Sequence, residues 1–99
     1  MTWTETEKHG GLAVITGGAS GVGLAAAELL SGRGFDLLLA DRDADTLEQA
    51  ASGLRAGGAS VRTAVVDVAN AAAMHELADQ AFASGPVAVL MNNAAERLL

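Results

Sequence analysis

The residues best placed to do chemistry stand together in the run Thr16-Gly17-Gly18-Ala19-Ser20-Gly21-Val22-Gly23. Gly17 lets the chain leave a strand in a tight turn, and Gly21 lets the backbone approach a pyrophosphate with no Cβ in the way. Gly23 permits close packing of a helix on that strand. The first turn of the helix, which contains Val22, points its free N–H groups at the anion. Ser20 can donate its hydroxyl to a phosphate or ribose oxygen. A glycine pattern alone also describes a turn with no ligand. Its place between an apolar run and a helical stripe is what gives this one chemical meaning.

Other chemistry-bearing side chains are isolated. His9 falls near the N-terminus and His75 on the polar side of a helical stretch, neither with a second ligand at metal-binding spacing. Glu28, Glu48, Glu76 and Asp79 read as solvated helix-face charges, so no metal site is expected.

The glycine run needs elements to hold it, and the hydropathy pattern supplies them. Leu12 to Thr16 is a short apolar run of the kind buried on both faces of a sheet. A helical stripe follows at Val22, Ala25, Ala26, Leu29 and Leu30, closed by Gly32 and Gly34. Phe35 to Ala40 reads as a second strand bounded by Asp41. A second helix starts at Asp43 or Asp45, with Leu47, Ala50, Ala51 and Leu54 on one face, and ends at Gly57-Gly58. Val61 to Val66 is a third strand. Asn70 caps a third helix carrying Met74, Leu77, Ala78, Ala81 and Phe82, which Gly85-Pro86 terminates. Val87 to Met91 is a fourth strand.

Strands alternating with helices make βαβ units and an α/β parallel sheet. Right-handed crossovers predict the spatial order 3-2-1-4, with the first two helices on one face and the third on the other. The expected organisation is a loose tail over 1–11 and half of a doubly wound fold over 12–99, cut off after the fourth strand.

Composition narrows the partners. The chain has 99 residues and a formal charge of −6, enough for one small domain. With scattered arginines and 3% aromatic residues it offers neither a basic patch nor stacking platforms for nucleic acid. No apolar run approaches the ~18 residues of a membrane span, and the first residues lack the apolar stretch of a secretion signal. A cytoplasmic chain is therefore expected. Cysteine is absent, which excludes disulfides and thiolate chemistry.

The glycine spacing is G-x-x-x-G-x-G, and here the sequence resembles the short-chain dehydrogenase/reductase family, whose cofactor motif is T-G-x-x-x-G-x-G. The resemblance runs from Leu12 to Ala95 and implies a Rossmann-like fold that binds NAD(P). It implies a role for Asp41, which would accept hydrogen bonds from the adenosine ribose hydroxyls and repel a 2′-phosphate. Like charges ~4 Å apart interact at roughly 4 kcal/mol at an effective dielectric of about 20. NAD is thus favoured over NADP, although the guanidinium of Arg42 could pair with the extra phosphate. The resemblance further places Asp67-Val68 along the adenine, where Asp67 alone reads equally as a helix-start residue. It places Asn92-Asn93-Ala94-Ala95 at the family's N-N-A-G motif, with Asn93 near the adenosine ribose. Ala95 stands where the family has glycine.

Hydride transfer in the family uses a tyrosine, a lysine four residues later and a serine, all beyond the fourth strand. This chain has no tyrosine and its single lysine is Lys8. Two readings of different class follow. One is the cofactor-binding portion of an oxidoreductase of this type; the other is a non-catalytic nucleotide-binding or interaction module. Methyltransferases and sugar-nucleotide epimerases share the fold class, but the glycine spacing argues against both. With order 3-2-1-4 the fourth strand is an edge, so self-association through it is expected.

Overall fold

The computed structural model describes residues 11–83 and 85–93. The elements alternate without exception: β1 (Leu12–Thr16), α1 (Gly21–Gly32), β2 (Asp36–Asp41), α2 (Ala44–Ala56), β3 (Val61–Val65), α3 (Ala71–Ala83) and β4 (Val87–Asn92). All three strand pairings are parallel, and the order is β3-β2-β1-β4, as expected. Every residue of β1 is buried, because this strand has a neighbour on each side and helices on each face.

Two cores result. On one face Ala13, Ile15, Leu37 and Leu39 meet Ala27 of α1 with Leu47 and Ala51 of α2. On the other, Leu12, Val14, Leu38 and Ala40 meet Leu77 and Ala81 of α3. Strand alternation sends successive residues to opposite faces, so one apolar run serves both cores.

Polar side chains set the helix starts and the helix-to-strand return. Asp43 caps α2 by accepting the Thr46 N–H at 3.1 Å, and that bond holds its carboxyl below the ordinary value of 3.8. Asn70 caps α3 through the Ala73 N–H at 3.1 Å. Arg55, in the last turn of α2, donates from Nε (3.1 Å) and Nη2 (2.8 Å) to the Val61 carbonyl, which fixes the return into β3. Its exposed pair with Glu48 contributes little beside that.

The strand boundaries move slightly from those expected: β2 takes in Asp41, which pairs with Val65, and β4 takes in Asn92, which pairs with Thr16. Gly11, assigned to the tail, accepts a hydrogen bond from the Asp36 N–H at 3.0 Å. The rest of that tail, with Trp3, Lys8 and His9, lies outside the described residues.

The helical stripes need a larger correction. Val22 and Leu29 are 67% and 58% exposed and Ala25 is exposed too, whereas Ala26 and Leu30 of the expected stripe pack on the core beside Gly23 and Ala27, which the stripe left out. The reason is how the helix is turned. Gly23 sits against the Gly17 carbonyl with no room for a Cβ, so the line through Gly23, Ala27 and Leu30 faces the sheet, and Val22 and Leu29, each about 100° from a member of that line, turn outward. On α3, Phe82 is 73% exposed although it continues the stripe of Leu77 and Ala81. Covering it would take a further strand or helix beyond β4, and among the described residues β4 is the edge.

Candidate functional site

In a parallel sheet all strands end on one side, and here that side gathers nearly every residue singled out from the sequence. Thr16, Asp41, Val65 and Asn92 terminate the four strands, and the glycine run leaves β1 between β2 and β4. The chain reverses its direction of travel across the sheet at this place, from the β1-β2-β3 side to β4. Such a switch point opens a crevice at the carboxyl ends of the strands.

The loop is stitched to β2 on one flank. The N–H groups of Gly17 and Gly18 both donate to the Ala40 carbonyl, at 2.8 and 3.3 Å. The next amide, Ala19 N–H, donates to Oδ2 of Asp41 at 3.2 Å. On the other flank Asn93 Nδ2 donates to the Gly17 carbonyl at 3.3 Å. Thr16 joins this flank to the strands: its hydroxyl donates to Asn92 Oδ1 and accepts the Asn93 N–H, both at 3.0 Å.

Glycine is required at three points of the turn for two reasons. Gly17 and Gly21 have φ of +66° and +58°, the left-handed region that resists a side chain. Gly23 has ordinary φ but no room. A Cβ there would run into the Gly17 carbonyl and come within 2.9 Å of Asn93 Nδ2. At Gly21 the opposite holds: a Cβ would meet nothing within 4 Å. One glycine is filled from inside the protein, the other faces open space.

Ser20 is the N-cap of α1, with extended backbone, yet its hydroxyl makes no capping bond. An N-cap serine ordinarily spends its oxygen on the N–H of the second or third helical residue. The first intrahelical bond is Leu24 N–H to the Ser20 carbonyl, and the first turn carries no acidic residue. The positive end of the helix dipole thus has no carboxylate within its first turn, only Asp41 on the preceding Ala19 N–H, and lies beside an exposed serine and an exposed Val22.

Asp67 and Val68 follow β3 at the same edge. Asp67 Oδ1 accepts the Ala69 N–H at 2.9 Å and its carbonyl accepts the Asn70 N–H at 2.9 Å. Asp67 thus shapes the turn into α3, while Asn70 performs the cap. Arg42 is exposed at the start of the β2–α2 turn, next to Asp41. His75, Glu28, Glu48, Glu76 and Asp79 lie exposed on helices, and no metal-holding cluster occurs among the described residues. No helix of the described residues is long and apolar enough to cross a membrane. Ala94, Ala95 and 96–99 lie outside the described residues.

Sequence reasoning missed the work of Thr16 and of the Ala19 amide. The signal for Thr16 was its place as a hydroxyl closing an otherwise apolar strand; among the described residues it is the one buried polar residue. Nothing in the sequence marked Ala19, since its contribution is a backbone N–H.

A four-stranded parallel sheet with a glycine turn leading onto an open helix N-terminus at its switch point defines a Rossmann-like nucleotide-binding protein. The family can now be given: the model for short chain dehydrogenases matches residues 11–97, and the chain belongs to that family of NAD(P)-binding oxidoreductases. It is 42% identical over 83 residues to 1-deoxy-11-beta-hydroxypentalenate dehydrogenase of Streptomyces avermitilis, covering 83% of this chain and 31% of that one. A short chain dehydrogenase/reductase from Burkholderia phymatum, solved in complex with NAD, superposes with a TM-score of 0.80 at 44% identity, over 85% of this chain and 30% of the other. L-sorbose reductase from Gluconobacter frateurii, solved with NADPH and L-sorbose, gives 0.85 at 35% identity, over 94% and 36%. The chain spans about a third of the length of the relatives it matches.

Proposed function

We propose that the carboxyl edge of the sheet binds the adenosine and pyrophosphate portion of a nicotinamide dinucleotide, as the cofactor-holding part of a short-chain dehydrogenase-type oxidoreductase. The observation that carries this is the unspent first turn of α1: open space at Gly21, a Ser20 hydroxyl with no capping bond, and no acidic residue within the turn itself. Gly17, Gly21, Val22 and Gly23 form the cradle, and Ser20 donates to a phosphate or ribose oxygen. Asp41 accepts from the ribose hydroxyls. Asp67 and Val68 border the adenine, and Asn93 lies near the adenosine ribose. A bound nicotinamide ring supplies the hydride acceptor or donor; the residues here bind and orient the rest of the cofactor.

NAD is preferred over NADP in this reading, because a 2′-phosphate would enter beside the Asp41 carboxylate, and the neighbouring Arg42 only partly offsets it. One solved relative holds NAD and another NADPH, so the family accommodates either. Calorimetric titration of the chain with NAD, NADP and ADP-ribose tests both levels. NAD should bind more tightly than NADP, and Asp41→Asn, which keeps an oxygen but removes the charge, should narrow the gap. Equal affinities in the unmodified chain overturn the preference; heat from none of the three overturns the reading.

The second reading is a non-catalytic nucleotide-binding or interaction module. It shares the same nucleotide site. For partners, we propose self-association along β4. Leu90, on the α3 face of that strand, is 70% exposed next to Phe82, and both border an apolar hollow of about 190 Å³. Light scattering at micromolar concentration should show species larger than a monomer. A monomer with a cooperative melt would be the contrary result.

A further inference from the structure

We infer that Asp41 is a positioning residue for the phosphate-binding turn as well as a ribose ligand, so that it governs affinity for ligands that have no ribose hydroxyls. The inference rests on the dinucleotide reading above and deepens it.

The three amides that follow Thr16 are fastened in succession to the end of β2. Gly17 and Gly18 use the Ala40 carbonyl, which is backbone and indifferent to sequence. At Ala19 the backbone acceptors of β2 are used up: the Asp41 carbonyl takes the Val66 N–H at 2.9 Å, on the β3 side. The Asp41 side chain continues the stitching in its place, Oδ2 accepting the Ala19 N–H at 3.2 Å. Its other oxygen, Oδ1, accepts the Asp43 N–H at 3.3 Å, so the carboxylate is held from both sides. Ala19 immediately precedes the N-cap Ser20 and is itself buried. Releasing its amide would free the segment that aims Ser20 and the first turn of α1. Each carboxylate oxygen retains a lone pair after its backbone bond, so holding the turn and accepting a ribose hydroxyl are compatible. Asn93 grips the Gly17 carbonyl from β4, but no other side chain among the described bonds reaches Ala19.

A ligand that keeps the pyrophosphate and lacks the hydroxyls separates the two roles. 2′,3′-Dideoxyadenosine 5′-diphosphate meets that description, and ADP is its control. If Asp41 acts only through the ribose, Asp41→Ala weakens ADP and leaves the dideoxy ligand unchanged. If it positions the turn, Asp41→Ala weakens the dideoxy ligand as well, by about tenfold, the scale of one charge-assisted hydrogen bond. Asp41→Asn keeps one neutral acceptor oxygen for the Ala19 N–H, a bond roughly half as strong as the charged one, so its dideoxy-ligand affinity should fall by only about threefold while its NAD-over-NADP preference shrinks. Hydrogen exchange of the Ala19 amide in the ligand-free chain gives an independent readout, expected to quicken by about tenfold in Asp41→Ala and to stay protected in Asp41→Asn. Unchanged dideoxy-ligand affinity or unchanged Ala19 exchange in Asp41→Ala overturns the inference. So does an equal tenfold loss in Asp41→Asn, which would assign the effect to charge. Failure of the unmodified chain to bind ADP or NAD overturns the dinucleotide reading instead, and the exchange measurement still decides the role of Asp41.

Discussion

Gly23→Ala is expected to remove dinucleotide binding and to lower the thermal midpoint by about 10 °C. Two effects oppose each other at this position. Alanine is the better helix former by up to ~1 kcal/mol, and Gly23 lies within α1. Against that, the new Cβ would collide with the Gly17 carbonyl, which is backbone, and crowd the Asn93 side-chain amide that is hydrogen-bonded to it. Overpacking of this kind costs ~1–3 kcal/mol, each of which moves the midpoint of a domain this size by roughly 4–8 °C. The collision wins because relief requires moving the turn itself, which breaks the Asn93 bond to Gly17 and displaces the phosphate cradle. Gly53→Ala on α2 is the control, since a Cβ there meets nothing within 4 Å. It should raise the midpoint by a few degrees through helix propensity alone. Should Gly23→Ala stabilise the chain as Gly53→Ala does, the close approach of α1 to the turn is not as described.

No turnover above the uncatalysed background is expected from this chain with NAD or NADP and a panel of alcohols and ketones. A positioned general acid contributes ~10² to 10⁴ in rate, and the residue pair that supplies it in the family, tyrosine with lysine four residues on, cannot be formed from this sequence. Ser20 is assigned to the cofactor phosphate or ribose in the reading above, and His75 is exposed on α3. Thr16 and both asparagines are engaged with one another. Turnover that copurifies with the chain and disappears on Gly21→Trp would show that some other residue performs the transfer.

The fold was legible because its signals are local and repeated. Buried runs such as Leu12–Thr16 announce strands, glycines and Gly85-Pro86 punctuate them, and handedness turns the resulting alternation into one strand order. The helix faces were less legible. Apolar spacing placed Val22 and Leu29 inward, yet the contact of Gly23 with the glycine turn orients α1 so that Gly23, Ala27 and Leu30 face the sheet. Phe82 failed for a different reason: periodicity says which residues share a face but not how far the sheet beneath that face extends.

The same division holds at the site. From sequence alone came the glycine cradle, because the left-handed backbone at Gly17 and Gly21 strongly favours glycine, and the position of Asp41 at the end of β2. Tertiary structure alone decided what those residues do to one another. The pairing of Asp41 with the Ala19 amide joins positions 22 apart in the chain, and the Thr16 bonds to Asn92 and Asn93 join positions 76 and 77 apart. Such bonds depend on which strand ends become neighbours once the sheet is assembled. A backbone amide has no letter in the sequence, so its partner becomes visible only when the fold brings the two together.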